Sequence, residues 1–423
     1  MSESAFLREQ FVNPFTEVQE IVFLAYGCSE FYREKLRRAK LCPEEIRSIA
    51  DLSRLPLTTR EEIQGKPWGL LTVPKSRICQ IHASTSLSKG PRVYIPFSDD
   101  DLYRGGLRPF TRGASFSPPL PMLVSEKDLV INALPYEVSH LGLLFHRILQ
   151  DGVGAGVVPV GKGGFYSVPE KTLQIMKDLK GDHLFTTPAY AIHLADKAGE
   201  VGYEIGKDLK PKSVWLAGES CSPGLRRRIE AMWKTDVFLS LTSLECGPIA
   251  LECGEKNGLH VATGYVFAEI IPADDPVLKL PEGVGEIVAT VLWRRSSPLI
   301  RYRTGLIGSM EDTACPCGLE SPKIRFWGDL TECLELGRSQ VPLLEVEDCL
   351  TELVETSPWY YLRPQGDVLT VLVPSGMRPQ ERKELREKAE KKLRERLELP
   401  LRVGVEEHAL TYKGEHWNRI LTS

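Results

Sequence analysis

The chain has 423 residues, of which 42% are apolar and 26% are charged. This length exceeds that of one ordinary domain and predicts two or three, and the apolar fraction is enough for a sizeable core. The net charge is -4, with no long basic run, which excludes a nucleic-acid binder that works by neutralising phosphates.

Membrane and secreted classes are excluded on similar grounds. No apolar stretch approaches the roughly 18 to 20 residues that a membrane-spanning helix needs. Residues 1–5 lack the basic start and the apolar segment of a signal peptide. Ten cysteines are too dilute for a disulfide scaffold. We therefore expect a cytoplasmic protein with reduced cysteines and no membrane partner, and we leave a homodimer open.

The predicted elements change in character along the chain. Residues 1–75 have the pattern of short amphipathic helices broken by prolines. From about 78 to 250, strand-like and helix-like segments alternate, which predicts a parallel sheet covered by helices on both faces. The predicted strands there are 129–134, 153–160, 183–187 and 213–217, and the predicted helices are 140–149 and 171–179.

The remaining third of the chain is richer in β-type segments at first. Residues 258–305 contain the clearest of them, 285–291. A separate unit begins at about 328, with strands over 368–373 and 401–405 around a charged helix over 379–397. The charges on this helix indicate a solvated outer face.

Residues 82–92 have the composition of a phosphate-binding loop. Their hydroxyl side chains and backbone N–H groups lie between two strand-like segments, where they could surround phosphate oxygens. A serine-rich surface turn fits the same residues. The composition alone leaves both interpretations open.

Four residues have the chemistry of a metal site: Cys253, His260, Cys315 and Cys317. Three thiolates and one imidazole make the closed, four-coordinate ligand set that structural zinc prefers. Pro316 favours the tight turn that lets Cys315 and Cys317 share one ion. Buried, unligated cysteines are the alternative, because a free cysteine packs as a small hydrophobic residue.

Several further motifs occur in an order that resembles one family. They are Phe31-Tyr32-Arg33, residues 55–59 (LPLTT), residues 82–91, Thr187-Pro188-Ala189-Tyr190, Ala217-Gly218-Glu219-Ser220, residues 241–250 (LTSLECGPIA) and Tyr302-Arg303-Thr304-Gly305. In this order and spacing they resemble the adenylate-forming enzymes, in the branch of phenylacetate–CoA ligase, over nearly the whole chain. The resemblance implies an α/β fold class with two domains and a ligand cleft between them. The large N-terminal domain would span 1–327, with 1–75 as a helical lead-in, and a smaller, mobile α+β lid domain would span 328–423.

The resemblance also implies an activity and a set of site residues. The activity is ATP-dependent conversion of a small carboxylic acid to an acyl-adenylate, followed by transfer to coenzyme A or another thiol. Glu245 would hold Mg²⁺, Lys413 would be the lid lysine, and Arg303 would lie beside the ribose. The phosphates would be bound by Ser84, Thr85, Ser86, Ser88 and Lys89, and the adenine by Gly218, Glu219 and Ser220. The four cysteine and histidine positions look like a structural zinc site of some relatives.

The chain departs from this pattern at working positions. Ser86 and Lys89 replace glycines of the phosphate loop, Leu87 replaces a threonine, Leu306 replaces the ribose aspartate, and Glu415 stands at the lid lysine. The hinge segment 328–332 lacks an arginine. Because each loss removes a preorganised donor or charge, we expect weak ATP binding and slow adenylation. We expect the double substitution Leu306→Asp with Glu415→Lys to raise the rate of pyrophosphate exchange.

Two other functions stay open beside this one. The first is a catalytically degenerate homologue that binds a ligand without adenylating it. The second is an accessory protein that handles a preformed acyl-adenylate or acyl-CoA. His140, in a predicted helix, is expected to be structural, with the wall of an acyl pocket as its alternative role.

Overall fold

The computed structural model describes residues 14–84, 91–105, 123–273, 276–351, 353, 359–408 and 419–421. The chain begins with helices α1 (Pro14–Cys28), α2 (Glu30–Arg38) and α3 (Arg60–Ile63), followed by a hairpin of β1 (Ile78–Ala83) and β2 (Tyr94–Ser98). Val18, Ile21, Val22 and Ala25 recur at helical spacing on one side of α1, and all are buried in the core. The helical character predicted for this region is present.

Within the described residues, the main sheet has eleven strands in the order β10-β11-β12-β13-β9-β8-β7-β6-β5-β3-β4. Their bounds are β3 (Leu129–Asn132), β4 (Gly156–Pro159), β5 (His183–Thr186), β6 (Ser213–Ala217), β7 (Asp236–Ser243), β8 (Gly247–Glu252), β9 (Leu259–Val261), β10 (Val266–Ile271), β11 (Gly285–Val291), β12 (Tyr302–Glu311) and β13 (Lys323–Asp329). The sheet has a core on each side, since two clusters of buried side chains pack against it.

The sheet is parallel in only one half. Strands β3 to β7 pair in parallel, whereas β8 to β13 pair antiparallel. The prediction of a parallel sheet was therefore incomplete. Residues 244–246 form a short turn after β7, so β8 must run back beside it, because a parallel neighbour needs a longer crossover.

The helices of the parallel half are α4 (Leu141–Arg147), α5 (Pro169–Leu179), α6 (Pro188–Glu200) and α7 (Pro223–Trp233). Helices α6 and α7 begin with proline, and the side chains of Thr187 and Ser222 cap them by accepting a backbone N–H three residues on. The strand predicted over 153–160 is shorter, because a π-helical turn extends through Val153 and Gly154 is left-handed, at φ 84°.

The part of the chain after β13 has sheets of its own. Its elements are β14 (Cys333–Leu336), β15 (Ser339–Pro342), α8 (Leu343–Thr351), β16 (Tyr361–Gln365), β17 (Val368–Pro374), α9 (Pro379–Leu397) and β18 (Arg402–His408). Strands β14 and β15 form a hairpin, and β16, β17 and β18 form a three-stranded sheet. No described helix is both long and apolar enough to cross a lipid bilayer.

Buried polar contacts join this C-terminal part to the large sheet. The Glu347 side chain on α8 is fully buried. It accepts hydrogen bonds from the Ser222 backbone N–H (3.0 Å), the Tyr360 hydroxyl (2.7 Å) and Arg419. The neighbouring Asp348 accepts from the Gly224 N–H at 2.8 Å. The start of α7 is thus fixed by two carboxylates of α8, while the proposed mobility of the lid stays a prediction.

Candidate functional site

A cleft opens where β6 and β7 end, beside the point at which the sheet changes from parallel to antiparallel. It encloses about 660 Å³ of space, including the part open to solvent. Open α/β sheets bind ligands at the carboxyl ends of their strands, at such a change of direction. The cleft is lined by Leu216, Gly218, Glu219, Ser220, Cys221, Leu239, Ser240, Leu241, Thr242, Leu259, Leu306, Phe326, Asp329, Thr331 and Glu332.

The loop after β6 contributes all three residues that were predicted to contact adenine. Gly218 has a φ of 82°, and a Cβ atom there would lie 2.7 Å from the Leu141 side chain, so only glycine fits. The Glu219 carboxylate accepts hydrogen bonds from the Lys162 ammonium at 2.6 Å and from the Ala189 N–H at 3.0 Å. The carboxylate is therefore fixed against the start of α6, and this loop forms one wall of the cleft.

Glu245, the predicted magnesium ligand, lies in the turn after β7 and is buried. One carboxylate oxygen accepts a hydrogen bond from Arg60 at 2.6 Å, and the other accepts from the Ser243 hydroxyl at 3.0 Å. Arg60 also donates to the Ser84 hydroxyl at 3.0 Å. Ser84 is the first of the predicted phosphate ligands, and the others lie outside the described residues: Thr85, Ser86, Ser88 and Lys89.

The sequence reasoning missed Arg60, although the local sequence fixes its position. Thr59 precedes α3 and forms a capping box with Glu62, which makes Arg60 the first residue of the helix. The preceding Thr58 pairs with Tyr302 as an isolated β-bridge, which ties the LPLTT segment to the YRTG segment. The signal in the sequence that could have identified Arg60 is a basic residue at the start of a capped helix.

Two other predicted positions have different surroundings. Arg303 forms an ion pair with the buried Glu286 at 2.6 Å, and Arg303 is not among the residues that line the cleft. Its role at the ribose stays a prediction. Leu306 does line the cleft, so the departure from the family pattern lies inside the site. Lys413 and Glu415 fall outside the described residues.

An aromatic layer lies beneath the turn that holds Glu245. The His140 ring lies 5.4 Å from His82 and 5.6 Å from Phe97, and Phe97 stacks on Trp293 at 5.7 Å. His140 is buried, and within the described part of the chain neither ring nitrogen has a hydrogen-bond partner. Burial lowers the pKa of His140 to about 3, with smaller contributions from His82 and Arg294. The imidazole is therefore neutral at neutral pH.

This histidine should make the fold acid-sensitive. Its unfolded pKa is about 6.5, so between about pH 6.5 and pH 3 the unfolded chain binds a proton that the folded chain excludes. The free energy of unfolding must then fall as the pH falls. From pH 6 to pH 5, His140 alone should account for about 1 kcal/mol of that loss. Urea unfolding at both pH values should show this much less loss in His140→Asn than in the unsubstituted protein.

The matched control is His408→Asn, an exposed position at the end of β18. An equal pH dependence in the unsubstituted protein and in His140→Asn would contradict the buried, neutral state of His140.

Four predicted metal ligands meet beside β8 and β9, and their ligand atoms all lie within 4.8 Å of one another: Cys253, His260, Cys315 and Cys317. The Cys253 and Cys315 sulfurs are 3.7 Å apart, and the Cys317 sulfur is 3.4 Å from the His260 Nε2 atom. Tetrahedral zinc with ordinary bond lengths separates two sulfurs by about 3.8 Å and a sulfur and a nitrogen by about 3.6 Å. The four side chains therefore have the spacing of a zinc site.

Two neighbours complete this cluster. The His260 Nδ1 atom lies 3.1 Å from the Ser321 hydroxyl, which orients the ring so that Nε2 faces the sulfurs. Lys323 lies directly opposite His260 in the sheet. The Lys323 ammonium is buried and has no hydrogen-bond partner among the described residues. Burial acts to raise the pKa of the Cys315 thiol, but hydrogen bonds from Cys317 and Cys253 and the charge of Lys323 outweigh it and lower the pKa.

Comparison with known proteins finds relatives that share one name, although no protein-family model matches the chain. The chain is 26% identical to the phenylacetate–coenzyme A ligase of Thermus thermophilus over 355 residues, which cover 82% of this chain and 76% of that protein. It is 27% identical to the enzyme of the same name from Pseudomonas putida over 290 residues, 66% of this chain and 62% of the relative.

Solved structures match over almost the full length. The 2-hydroxyisobutyryl-CoA ligase in its post-adenylation state, in complex with 2-HIB-AMP, superposes with a TM-score of 0.84 at 20% identity, over 97% of this chain and 89% of that chain. The same ligase with 2-HIB-AMP and CoA in its thioesterification state gives a TM-score of 0.67 at 20% identity, over 100% of this chain and 90% of that chain. This likeness establishes the fold that carries the cleft.

Proposed function

We propose that the chain is a member of the adenylate-forming superfamily, in its phenylacetate–CoA ligase branch, and that it activates a small carboxylic acid with ATP and transfers the acyl group to coenzyme A or another thiol. The supporting observation is that the loop 218–220 and the Glu245 turn follow the carboxyl ends of the neighbouring parallel strands β6 and β7, while Arg60 joins Glu245 to Ser84. Thr242, three residues before Glu245, lines the cleft itself. Curated relatives named as phenylacetate–coenzyme A ligases support the same reaction.

Each group of the cleft has a role in this proposal. The wall formed by Gly218, Glu219 and Ser220 would hold the adenine. The Glu245 carboxylate would hold the Mg²⁺ that accompanies ATP, since carboxylate oxygens are the ligands that Mg²⁺ prefers. Without nucleotide, the Arg60 guanidinium forms an ion pair with this carboxylate. On binding, the guanidinium would turn to the phosphate oxygens, which suit its planar donors.

The activity is tested by ATP–pyrophosphate exchange over a panel of aryl and acyl acids, with ATP binding measured by calorimetry in the presence of Mg²⁺. We expect exchange with at least one acid, and thioester formation when coenzyme A is added. ATP binding without exchange for any acid would instead favour a ligand-binding protein that does not adenylate. A chain that binds no ATP would contradict the ligase and favour a protein that handles a preformed acyl-adenylate or acyl-CoA.

The ligand-binding alternative is favoured by one observation. Leu306 presents an apolar side chain to the cleft where the family pattern has a ribose acceptor. A leucine cannot accept hydrogen bonds, so ATP binding would lose one set of contacts. The alternative and the ligase therefore differ in the exchange assay rather than in the fold.

A structural zinc ion forms the second part of the proposal. Cys253, His260, Cys315 and Cys317 would hold it, and with four protein ligands no coordination position stays open for catalysis. Zn²⁺ with three thiolates and a neutral imidazole carries one net negative charge. Lys323, whose buried ammonium lies on the strand beside His260, supplies the opposite charge. The ion would fasten β8 and β9 to the turn between β12 and β13.

A further inference from the structure

The Ser240 hydroxyl is a buried polar group at the wall of the cleft. Ser240 lies on β7, is only 7% exposed and is among the residues that line the cleft. Within the described part of the chain, its Oγ atom has no hydrogen-bond partner. Most buried side-chain hydroxyls in proteins are hydrogen-bonded, because burial without a bond is costly. A molecule that enters the cleft can supply the partner for this hydroxyl.

The register of the sheet places Ser240 beside the loop 218–220. Ser240 of β7 pairs with Ala217 of β6, and neighbouring strands lie about 4.8 Å apart. Ala217 directly precedes Gly218, the first residue of the wall that would hold the adenine. The hydroxyl is thus about one strand spacing from the start of this wall.

The lining side chains next to Ser240 are apolar. Leu239 and Leu241 flank it in β7, and Leu216 of β6 pairs with Leu239. All three leucines line the cleft. Leucine can pack against the face of a purine, but it has no donor or acceptor for the edge of the ring. Among these four side chains, only that of Ser240 can form a hydrogen bond with a base.

We infer that the Ser240 hydroxyl determines which purines the cleft accepts, by bonding to the group at position 6 of the base. This inference rests on the proposed function, because it needs a nucleotide whose base lies against the loop 218–220. Position 6 lies on the far side of the purine from the ribose, so this edge of the base enters the cleft first and meets the most buried groups.

A hydroxyl gives this recognition a distinctive pattern. Because a serine hydroxyl is both a donor and an acceptor, it can accept from the 6-amino group of adenine or donate to the 6-oxo group of hypoxanthine. It has nothing to bond where the ring carries only hydrogen at position 6. We therefore expect the cleft to tolerate the exchange of an amino group for an oxo group and to disfavour the loss of both.

The test compares ATP, ITP and purine riboside 5′-triphosphate, which carries only hydrogen at position 6, by calorimetry in the presence of Mg²⁺. The unsubstituted protein should bind ATP and ITP within about threefold of each other, because either base can form the one hydrogen bond. It should bind the 6-hydrogen analogue at least about fivefold more weakly than ATP, the typical effect of losing one neutral hydrogen bond.

Ser240→Ala removes the hydroxyl and leaves the leucines in place. It should bring ATP and the 6-hydrogen analogue to within about twofold of each other, mainly by weakening ATP binding. Without nucleotide it should raise the melting temperature rather than lower it, since a buried hydroxyl without a partner is destabilising. Ser76→Ala, an exposed change just before β1, should leave the preference for ATP intact.

Three results would overturn the inference while leaving the proposed function in place. They are equal binding of ATP and the 6-hydrogen analogue by the unsubstituted protein, a full preference retained by Ser240→Ala, and a lower melting temperature of Ser240→Ala. The last would mean that the hydroxyl bonds within the fold or to a resident water instead of a base. Failure of the unsubstituted protein to bind any of the three nucleotides would overturn the ligase and this inference together.

Discussion

Glu245→Gln should lower the rate of ATP–pyrophosphate exchange by about a hundredfold or more and leave the fold intact. A preorganised group that stabilises transition-state charge typically contributes two to three orders of magnitude in rate. Glutamine has the same shape and can still accept from Ser243, but it has no charge for Mg²⁺. The exchange rate should be measured at saturating acid and across a range of Mg²⁺ concentrations, because the loss of a metal ligand raises the Mg²⁺ requirement.

The matched control for this change is Glu61→Gln. Glu61 is exposed on the same short helix as Arg60, so the control removes a nearby charge without touching the cleft. We expect its exchange rate to stay within about twofold of the unsubstituted rate, as for most surface changes. A Glu245→Gln protein that exchanges pyrophosphate within about threefold of the unsubstituted rate would contradict the role of Glu245.

Much of the fold was predictable because local patterns decide it. Residues 213–217, 285–291 and 379–397 were predicted with the bounds that the structure has. The antiparallel half of the sheet was not predicted. Its strands are buried on both sides, as in β8 and β11, where every residue is buried. Such apolar runs carry no period that gives their direction, and β7 and β8 are antiparallel only because a three-residue turn joins them.

Candidate site residues could be named where a motif or the chemistry of the side chains marks them, but not where only a contact in the fold does. The loop 218–220 lines the cleft, and its contact with adenine stays a prediction. The four metal-ligand candidates come together although Cys253 and Cys315 are 62 residues apart. Arg60 was not predicted as a site residue, and the pairing of Lys162 with Glu219 was not predicted either. Arg60 lies on a short helix and Lys162 in a loop, and each contacts a carboxylate from a distant segment, Glu245 or Glu219, which spacing in the sequence does not indicate.

Removal of the metal should have the largest effect on stability. We expect purified protein to hold one zinc ion per chain, and Cys315→Ser to lower the melting temperature by about 5 °C or more with little effect on ligand affinity. The binding free energy of a structural zinc ion is folding free energy, and loss of a metal is among the few single changes with large destabilisation. Elemental analysis and calorimetric melting measure the two effects. Cys28→Ser, an exposed cysteine outside the cluster, is the control and should change neither.

Lys323 distinguishes a zinc site from four packed side chains. If the cysteines are unligated and protonated, the buried Lys323 ammonium has no negative partner, and Lys323→Met should stabilise the protein, because an isolated buried charge is costly. If zinc is bound, the net negative charge of the zinc-thiolate group needs Lys323, and Lys323→Met should weaken zinc retention against a chelator. Lys323→Met should thus stabilise the protein if the cysteines are unligated, and weaken its hold on zinc if the metal is bound. A zinc content below about half an equivalent, together with a stabilised Lys323→Met protein, would contradict the metal site.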